Sequence, residues 1–183
     1  NMICGSGMKT VIEAATKIKA GEANIVVAAG MENMSAAPYL MSANNRFGAK
    51  MGEQKILDSI IHDGLTDVFN QYHMGITAEN IANQYNISRE DQDKFALRSQ
   101  QRACIAVETG RFDDEITPIE VNIRRKSVSF SRDEYPRADA SIESLAKLRP
   151  AFDRNGSVTA GNASGINDGG VAFIVASQQA VDE

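Results

Sequence analysis

Histidine and cysteine are scarce in this chain, with two of each in 183 residues. His62 and His73 are too few and too isolated in sequence to suggest an imidazole metal site, so no metal is expected. Cys4 and Cys104 lie far apart, which excludes a disulfide framework and a paired-cysteine zinc motif, and suits a reducing cytoplasm. No apolar run has the length needed to span a bilayer, so no membrane partner is expected. The polar, glycine-rich opening is not a secretory signal. An excess of positive charge is also lacking. The net charge of -5 removes the global basic field that recruits nucleic acid. An initiator Met is absent, and a motif of catalytic character occupies the first residues, which points to a piece of a longer protein. What remains is ordinary globular composition, 43% hydrophobic and 23% charged, in a length suited to one large domain or one and a half small ones.

The opening reads Asn1-Met2-Ile3-Cys4-Gly5-Ser6-Gly7 and passes straight into a helical pattern. Glycines permit a tight turn and close approach of a ligand to the backbone. The first N–H groups of a helix lack intrahelical partners, and its dipole favours negative charge there. A thiol so placed is suited to act as a nucleophile. The same pattern also suits a small residue filling space at a strand-to-helix turn, and the local sequence does not choose between the two.

Met8 to Ala20 carries an apolar stripe of Met8, Val11, Ile12, Ala15 and Ile18, which predicts a helix stopped by Gly21. Asn24 to Gly30 and Gly170 to Ala176 are short apolar runs of the kind found in strands buried on both faces. Between them, roughly Met34 to Ser157, the texture is more polar. Ile56 to Phe69 has helical spacing, weakened by Gly64, and Thr77 to Tyr85 is a short helix. Ser88 and Asp91 mark the start of a longer one that ends near Gly110, with Phe95, Leu97, Cys104 and Val107 toward its buried side. Ile116 to Ile123 alternates as a half-buried edge strand, and Val128 to Phe130 pairs with it across Arg124-Arg125-Lys126. Ile142 to Leu148 is a last short helix. The expected fold is α/β: residues 1–33 and 158–183 form one core, and residues 34–157 an insertion.

Four segments exceed what folding alone requires: the Cys4 segment; Gly30-Met31-Glu32-Asn33-Met34-Ser35; Asp63-Gly64-Leu65-Thr66-Asp67 through Tyr72-His73-Met74-Gly75 to Thr77-Ala78-Glu79-Asn80; and Lys147-Leu148-Arg149-Pro150-Ala151-Phe152 followed by Thr159 to Gly169. In this order they closely resemble the thiolase family, and within it the acetyl-CoA acetyltransferases. The resemblance extends over essentially the whole chain.

That resemblance implies a layered α-β-α core carrying a large α+β loop domain that grips CoA. It implies an acyltransferase that condenses two acetyl-CoA to acetoacetyl-CoA and CoA, and runs the reverse thiolysis, through an acetylated Cys4. Arg137 matches the family's arginine near the CoA nucleotide, and an arginine fits phosphate bidentately. Ser144, Leu148, Phe152, Ala160, Ala163 and Ser164 match positions lining the pantetheine groove, and Leu65 joins them among the substrate-binding residues. Leu148 and Phe152, four apart, are expected to form one apolar wall. His73 and Met74 fall at the acyl end, as pocket wall and not as a proton-transfer pair. Tyr-His-Met-Gly resembles the short-chain, biosynthetic type. No cofactor is implied, since the CoA thioester is the substrate. The implied partners are acetyl-CoA, acetoacetyl-CoA, CoA and further copies of the chain, as a tetramer or dimer.

The family's Gly-His-Pro and Cys-x-Gly-Gly segments, which supply an activating His and a second acid/base Cys, are not found here. Cys104 sits mid-helix without glycine neighbours and reads as a small buried residue. The chain alone is therefore expected to be inactive. The alternative readings are a non-catalytic CoA- or acyl-binding module and the related condensing enzymes, which usually lack this loop-domain sequence.

Overall fold

The helical spacing after Cys4 becomes α1 (Ser6–Lys19) in the computed structural model, which describes residues 1–183. Gly21 follows its end at φ 75°, a left-handed conformation that glycine adopts without steric cost. The packed stripe is rotated from the one expected. Ala14 is buried, and Val11, Ala15 and Ile18 are half-buried beside it. Met8 and Ile12, 73% and 52% exposed, lie outside the stripe.

The two apolar runs become β1 (Ile25–Asn33) and β6 (Asp168–Ala176), which pair antiparallel along their full length, from Ile25 opposite Ala176 to Asn33 opposite Asp168. Helix α1 lies on both strands. The expectation of burial on both faces is corrected here. Ala28 is buried, whereas Val27 and Ile174, which face each other across the ladder, are 67% and 76% exposed. Side chains alternate across a strand, and only one face has a helix over it.

Ile56 to Phe69 is also corrected. Ile56–Asp58 forms β3, paired antiparallel with β2 (Tyr39–Met41), and Ile60–Leu65 forms one wide helical turn containing Gly64. Ladder pairing with β2 and the flexibility of Gly64 outweigh the helical spacing.

Two compact units result: Asn1–Tyr72 with Ile166–Glu183, and His73–Gly165. The sequence borders stood at 34 and 158. Residues 34–72 group with the first unit: Ser35 is tied to Asp168 on β6, and Ile60 and Leu65 line one cleft with Cys4 and Gly30.

In the second unit α2 (Met74–Gln84) starts at His73, and α3 (Arg89–Glu108) at Ser88, whose hydroxyl accepts the Asp91 N–H at 3.1 Å. Gly110 closes α3 at φ 64°. Phe95 does not face inward: it is 65% exposed, with the Arg98 guanidinium 5.3 Å over its ring. Asp93 occupies the buried side instead. Strand β4 (Ile119–Ile123) begins after Pro118 and pairs with β5 (Lys126–Phe130). Arg124 and Arg125, at φ 48° and 68°, make the two-residue turn whose twist suits a hairpin. The short α4 (Ile142–Ala146) is closed at its start by reciprocal Ser141–Ser144 hydrogen bonds, and α5 (Gln178–Asp182) follows β6 in the first unit. Helix α4 ends before Leu148, so Leu148 and Phe152 are not one helical turn apart. Arg149-Pro150 interrupts the helix, and Pro150 bridges to Thr159 instead.

Candidate active site

Cys4 lies in a single tight helical turn (Ile3–Gly5) that runs directly into α1. That turn requires Ile3 at φ 50°, a left-handed conformation that disfavours β-branched residues by about 1–3 kcal/mol. Its neighbours hold it there. Asn1 Oδ1 accepts the Ile3 N–H at 2.8 Å, and Ser6 Oγ accepts the Met2 N–H at 2.8 Å. The single Ser6 hydroxyl proton can reach the Ile3 carbonyl at 2.8 Å or Asn1 Oδ1 at 3.1 Å. Helix α1 is capped by Gly5 with no side-chain acceptor on its first turn, so the positive end of the helix is presented at Cys4.

Cys4 is exposed and lines a cleft of about 900 Å³. Ile60, Leu65, Met31 and Met34 supply apolar lining, while Gly7, Gly30, Gly169 and Gly170 leave backbone accessible. Glu32 and Asp63 also line the cleft, and no His, Lys or Arg does. The rim after β1 is fixed by Asp168, whose carboxylate accepts the Ser35 N–H at 2.9 Å and the Ser35 hydroxyl at 2.5 Å. The Ser35 hydroxyl, then the backbone N–H groups of Ser35 and Met34, hold this carboxyl below the usual aspartate range. Of the predicted catalytic and substrate-binding residues, this cleft gathers Cys4 and Leu65, and from the motif segments it also takes Gly30, Met31, Glu32, Met34, Asp63, Gly64 and Gly169.

His73, Met74, Arg137, Ser144, Leu148, Phe152, Ala160, Ala163 and Ser164 belong to the second unit. His73 caps α2: its Nδ1 accepts the Gly75 N–H at 2.9 Å, which places the proton on Nε2. Its ring stacks on Phe152 with centroids 4.7 Å apart. A Cβ on Gly75 would overlap the Phe152 ring, so this stack requires glycine there. A Cβ on Gly161 would overlap Leu145 and Leu148, which places the Leu148 segment against the segment carrying Ala160, Ala163 and Ser164. Arg137 is exposed, with its N–H bound to Gln100 at 2.8 Å and its guanidinium in no ion pair. Ser144 is committed to the cap of α4 through its hydroxyl. Cys104 lies half-buried on α3. Asn1, Ser6, Ser35 and Asp168 all stood in the motif segments, but sequence reasoning gave none of them a role: neither the brace of the Cys4 turn nor the Ser35–Asp168 tie was foreseen. The Asn1-to-Ser6 spacing around a cysteine turn was the only available signal.

A family model described as thiolase, N-terminal domain, matches residues 1–179. The chain is 54% identical over 184 residues to a probable acetyl-CoA acyltransferase of Staphylococcus aureus (strain COL), covering 100% of this chain and 47% of that protein. It is 52% identical over 180 residues to an acetyl-CoA acetyltransferase of Escherichia coli (strain K12), covering 98% of this chain and 46% of the relative. Among solved structures, Bacillus anthracis acetyl-CoA acetyltransferase superposes with a TM-score of 0.90 at 47% identity, over 98% of this chain and 45% of that one. Human mitochondrial 3-ketoacyl-CoA thiolase in complex with CoA does so with a TM-score of 0.87 at 45% identity, over 98% and 44%. The chain spans about half the length of the curated relatives it matches.

Proposed function

The chain belongs to the thiolase family, and we propose that the whole protein is an acetyl-CoA acetyltransferase in which Cys4 carries the acetyl group. The supporting observation is an exposed thiol at the start of α1, opening into a cleft with glycine backbone on its walls. Cys4 sulfur, as thiolate, attacks the thioester carbonyl carbon of acetyl-CoA. The bond from that carbon to the CoA sulfur breaks, and CoA leaves as a thiol after taking a proton. A second acetyl-CoA then loses an α-proton to a base, and its carbanion attacks the acetyl carbonyl on Cys4. Acetoacetyl-CoA forms and the Cys4 thiolate is released.

The cleft around Cys4 holds no imidazole or amine side chain, and the negative charge of Glu32 and Asp63 disfavours a thiolate beside them. The activating base and the second acid/base therefore come from the rest of the whole protein. CoA enters as substrate, and no further cofactor is required. Arg137 takes the nucleotide phosphates. Ser144, Leu148, Phe152, Ala160, Ala163 and Ser164 line the pantetheine path, and Leu65, His73 and Met74 shape the acyl end. Short acyl groups, a cytoplasmic setting that keeps Cys4 reduced, and assembly with further copies complete this reading. No helix is long and apolar enough to cross a membrane.

A second reading, a CoA-binding module without turnover, is favoured by the absence of an imidazole or amine side chain from the cleft. One experiment separates them. The whole protein is incubated with acetyl-CoA, quenched, digested and weighed. Acetylation of the Cys4 peptide, lost in Cys4→Ala together with acetoacetyl-CoA thiolysis, is the expected outcome. Binding of CoA with no acetyl group on Cys4 would decide for the module.

A further inference from the structure

Only two acidic side chains are buried, Glu79 at 5% and Asp93 at 3% exposure. A buried carboxylate is costly unless its lone pairs are filled. Glu79, on α2, is filled almost wholly by a two-residue segment. Its oxygens accept the Ser157 N–H at 3.0 and 2.9 Å, the Val158 N–H at 2.8 Å and the Ser157 hydroxyl at 3.0 Å. A Cβ on Gly156 would overlap this carboxylate, so the preceding residue is small for the same reason. Asp93, on α3, accepts Arg89 Nε at 2.8 Å and Asn162 Nδ2 at 3.0 Å. Asn162 in turn accepts the Thr159 N–H at 2.7 Å and donates to the Ser157 carbonyl at 3.1 Å. Arg89 Nη2 reaches the other side, donating to the carbonyls of Leu145 and Leu148 at 2.7 and 2.9 Å.

The network thus terminates on two segments. One runs from Ser157 to Gly165 and carries Ala160, Ala163 and Ser164. The other contains Leu145 to Leu148 and follows Ser144. We propose that Glu79 and Asp93 are positioning residues for the CoA groove, fixing the backbone of both segments that line it. The proposal rests on the CoA-binding reading given above. Only an ionised carboxylate offers acceptors alone, and enough of them, to take every donor that Ser157 and Val158 present. Glutamine would turn an NH₂ toward those donors and release the segment.

The test compares the whole protein with Glu79→Gln. Affinity for CoA is measured directly by calorimetry, and KM is measured for acetyl-CoA and for acetyl-N-acetylcysteamine, a thioester lacking the nucleotide and most of the pantetheine. Glu79→Gln is expected to weaken CoA binding and raise KM for acetyl-CoA about tenfold, with a smaller rise for the truncated thioester and kcat within about twofold of wild type. Unchanged CoA affinity alongside a lower melting temperature would make Glu79 a structural residue only and overturn the proposal. Equal KM rises for both thioesters would overturn it as well. Should Glu79→Gln not fold, Ser157→Ala removes one donor to the carboxylate, and unchanged CoA affinity there is the overturning result. Failure of the underlying reading shows separately, as absence of CoA binding in the wild-type protein.

Discussion

A Cβ built on Gly30 would stand 3.1 Å from the Gly7 Cα, so the start of α1 rests directly on the backbone of β1. Both glycines line the Cys4 cleft. The contact sets how deeply the helix that carries the thiol sits on the sheet. Gly30→Ala must lift the first turn of α1 by a few tenths of an ångström, because the opposing atom is backbone and cannot rotate away. Overpacking of this kind costs about 1–3 kcal/mol. The expected outcome is a lower melting temperature together with slower acetylation of Cys4 in the whole protein. A variant that loses stability but acetylates at the wild-type rate would show that helix depth does not govern the thiol.

Ser6 gives a sharper test of the same turn. Its hydroxyl accepts the Met2 N–H and reaches the Ile3 carbonyl, both at 2.8 Å, while Ile3 is held at φ 50°. Without the hydroxyl, Ile3 relaxes toward an ordinary negative φ and the Cys4 turn loosens. Ser6→Ala is expected to cost about 1 kcal/mol and to slow the acetylation step more than it weakens CoA binding. Ser6→Thr keeps the oxygen and should recover most of the rate. Equal rates in Ser6→Ala and wild type would remove the brace from the account.

The contrast between these glycine and serine contacts and the sequence reading shows what the chain discloses. Helices α1 and α3 were legible because capping residues and glycine stops act locally: Ser88, Gly110 and Gly21 do their work within one turn, whereas α2, expected from Thr77, starts at Met74 behind a His73 cap that the sequence did not disclose. The β4–β5 hairpin was legible for the same reason. The strand at Ile56–Asp58 was not, since its partner Tyr39–Met41 lies outside any local window. The open face of β1 and β6 was not legible either, because an apolar run reads the same whether one face or both are covered. For the site, glycine context made Cys4 conspicuous. The acids that hold the second unit, Glu79 and Asp93, were not legible as such: Glu79 stood in a motif segment without a role, and Asp93 drew no reading. Their partners Ser157, Val158 and Asn162 come from far along the chain.

His73 joins two contacts whose removal can be separated. Its Nδ1 caps α2 at Gly75, and its ring stacks on Phe152. Asparagine retains a cap acceptor but not the ring, and alanine retains neither. His73→Ala is expected to destabilise by about 1 kcal/mol through the cap alone, and His73→Asn by less. A residue shaping a pocket affects KM first, whereas a general acid or base is worth about 10²–10⁴ in rate. We therefore expect kcat to fall less than tenfold in both variants. A fall of several hundredfold in His73→Asn would assign the imidazole a proton-transfer role.

Asp168 supplies a pH signature. Hydrogen bonds from the Ser35 hydroxyl, and then from the Ser35 and Met34 N–H groups, hold its carboxyl below the usual range. In the unfolded chain the group titrates near its ordinary value of about 3.9. A group whose pKa is depressed on folding binds fewer protons in the native state, so it contributes stability above the unfolded value and loses it as pH falls through the folded one. The carboxylate faces solvent, so the contribution is screened and small. It is best read as a difference between proteins. Asp168→Ala should melt below wild type at roughly pH 6, with the gap narrowing as the pH is lowered past about 3.9 and toward 2. Asp168→Asn, which keeps one acceptor for Ser35, should lie between the two at roughly pH 6. A gap between Asp168→Ala and wild type that stays constant from neutral to strongly acid solution would mean that the tie between β6 and the turn after β1 owes nothing to the charge of Asp168.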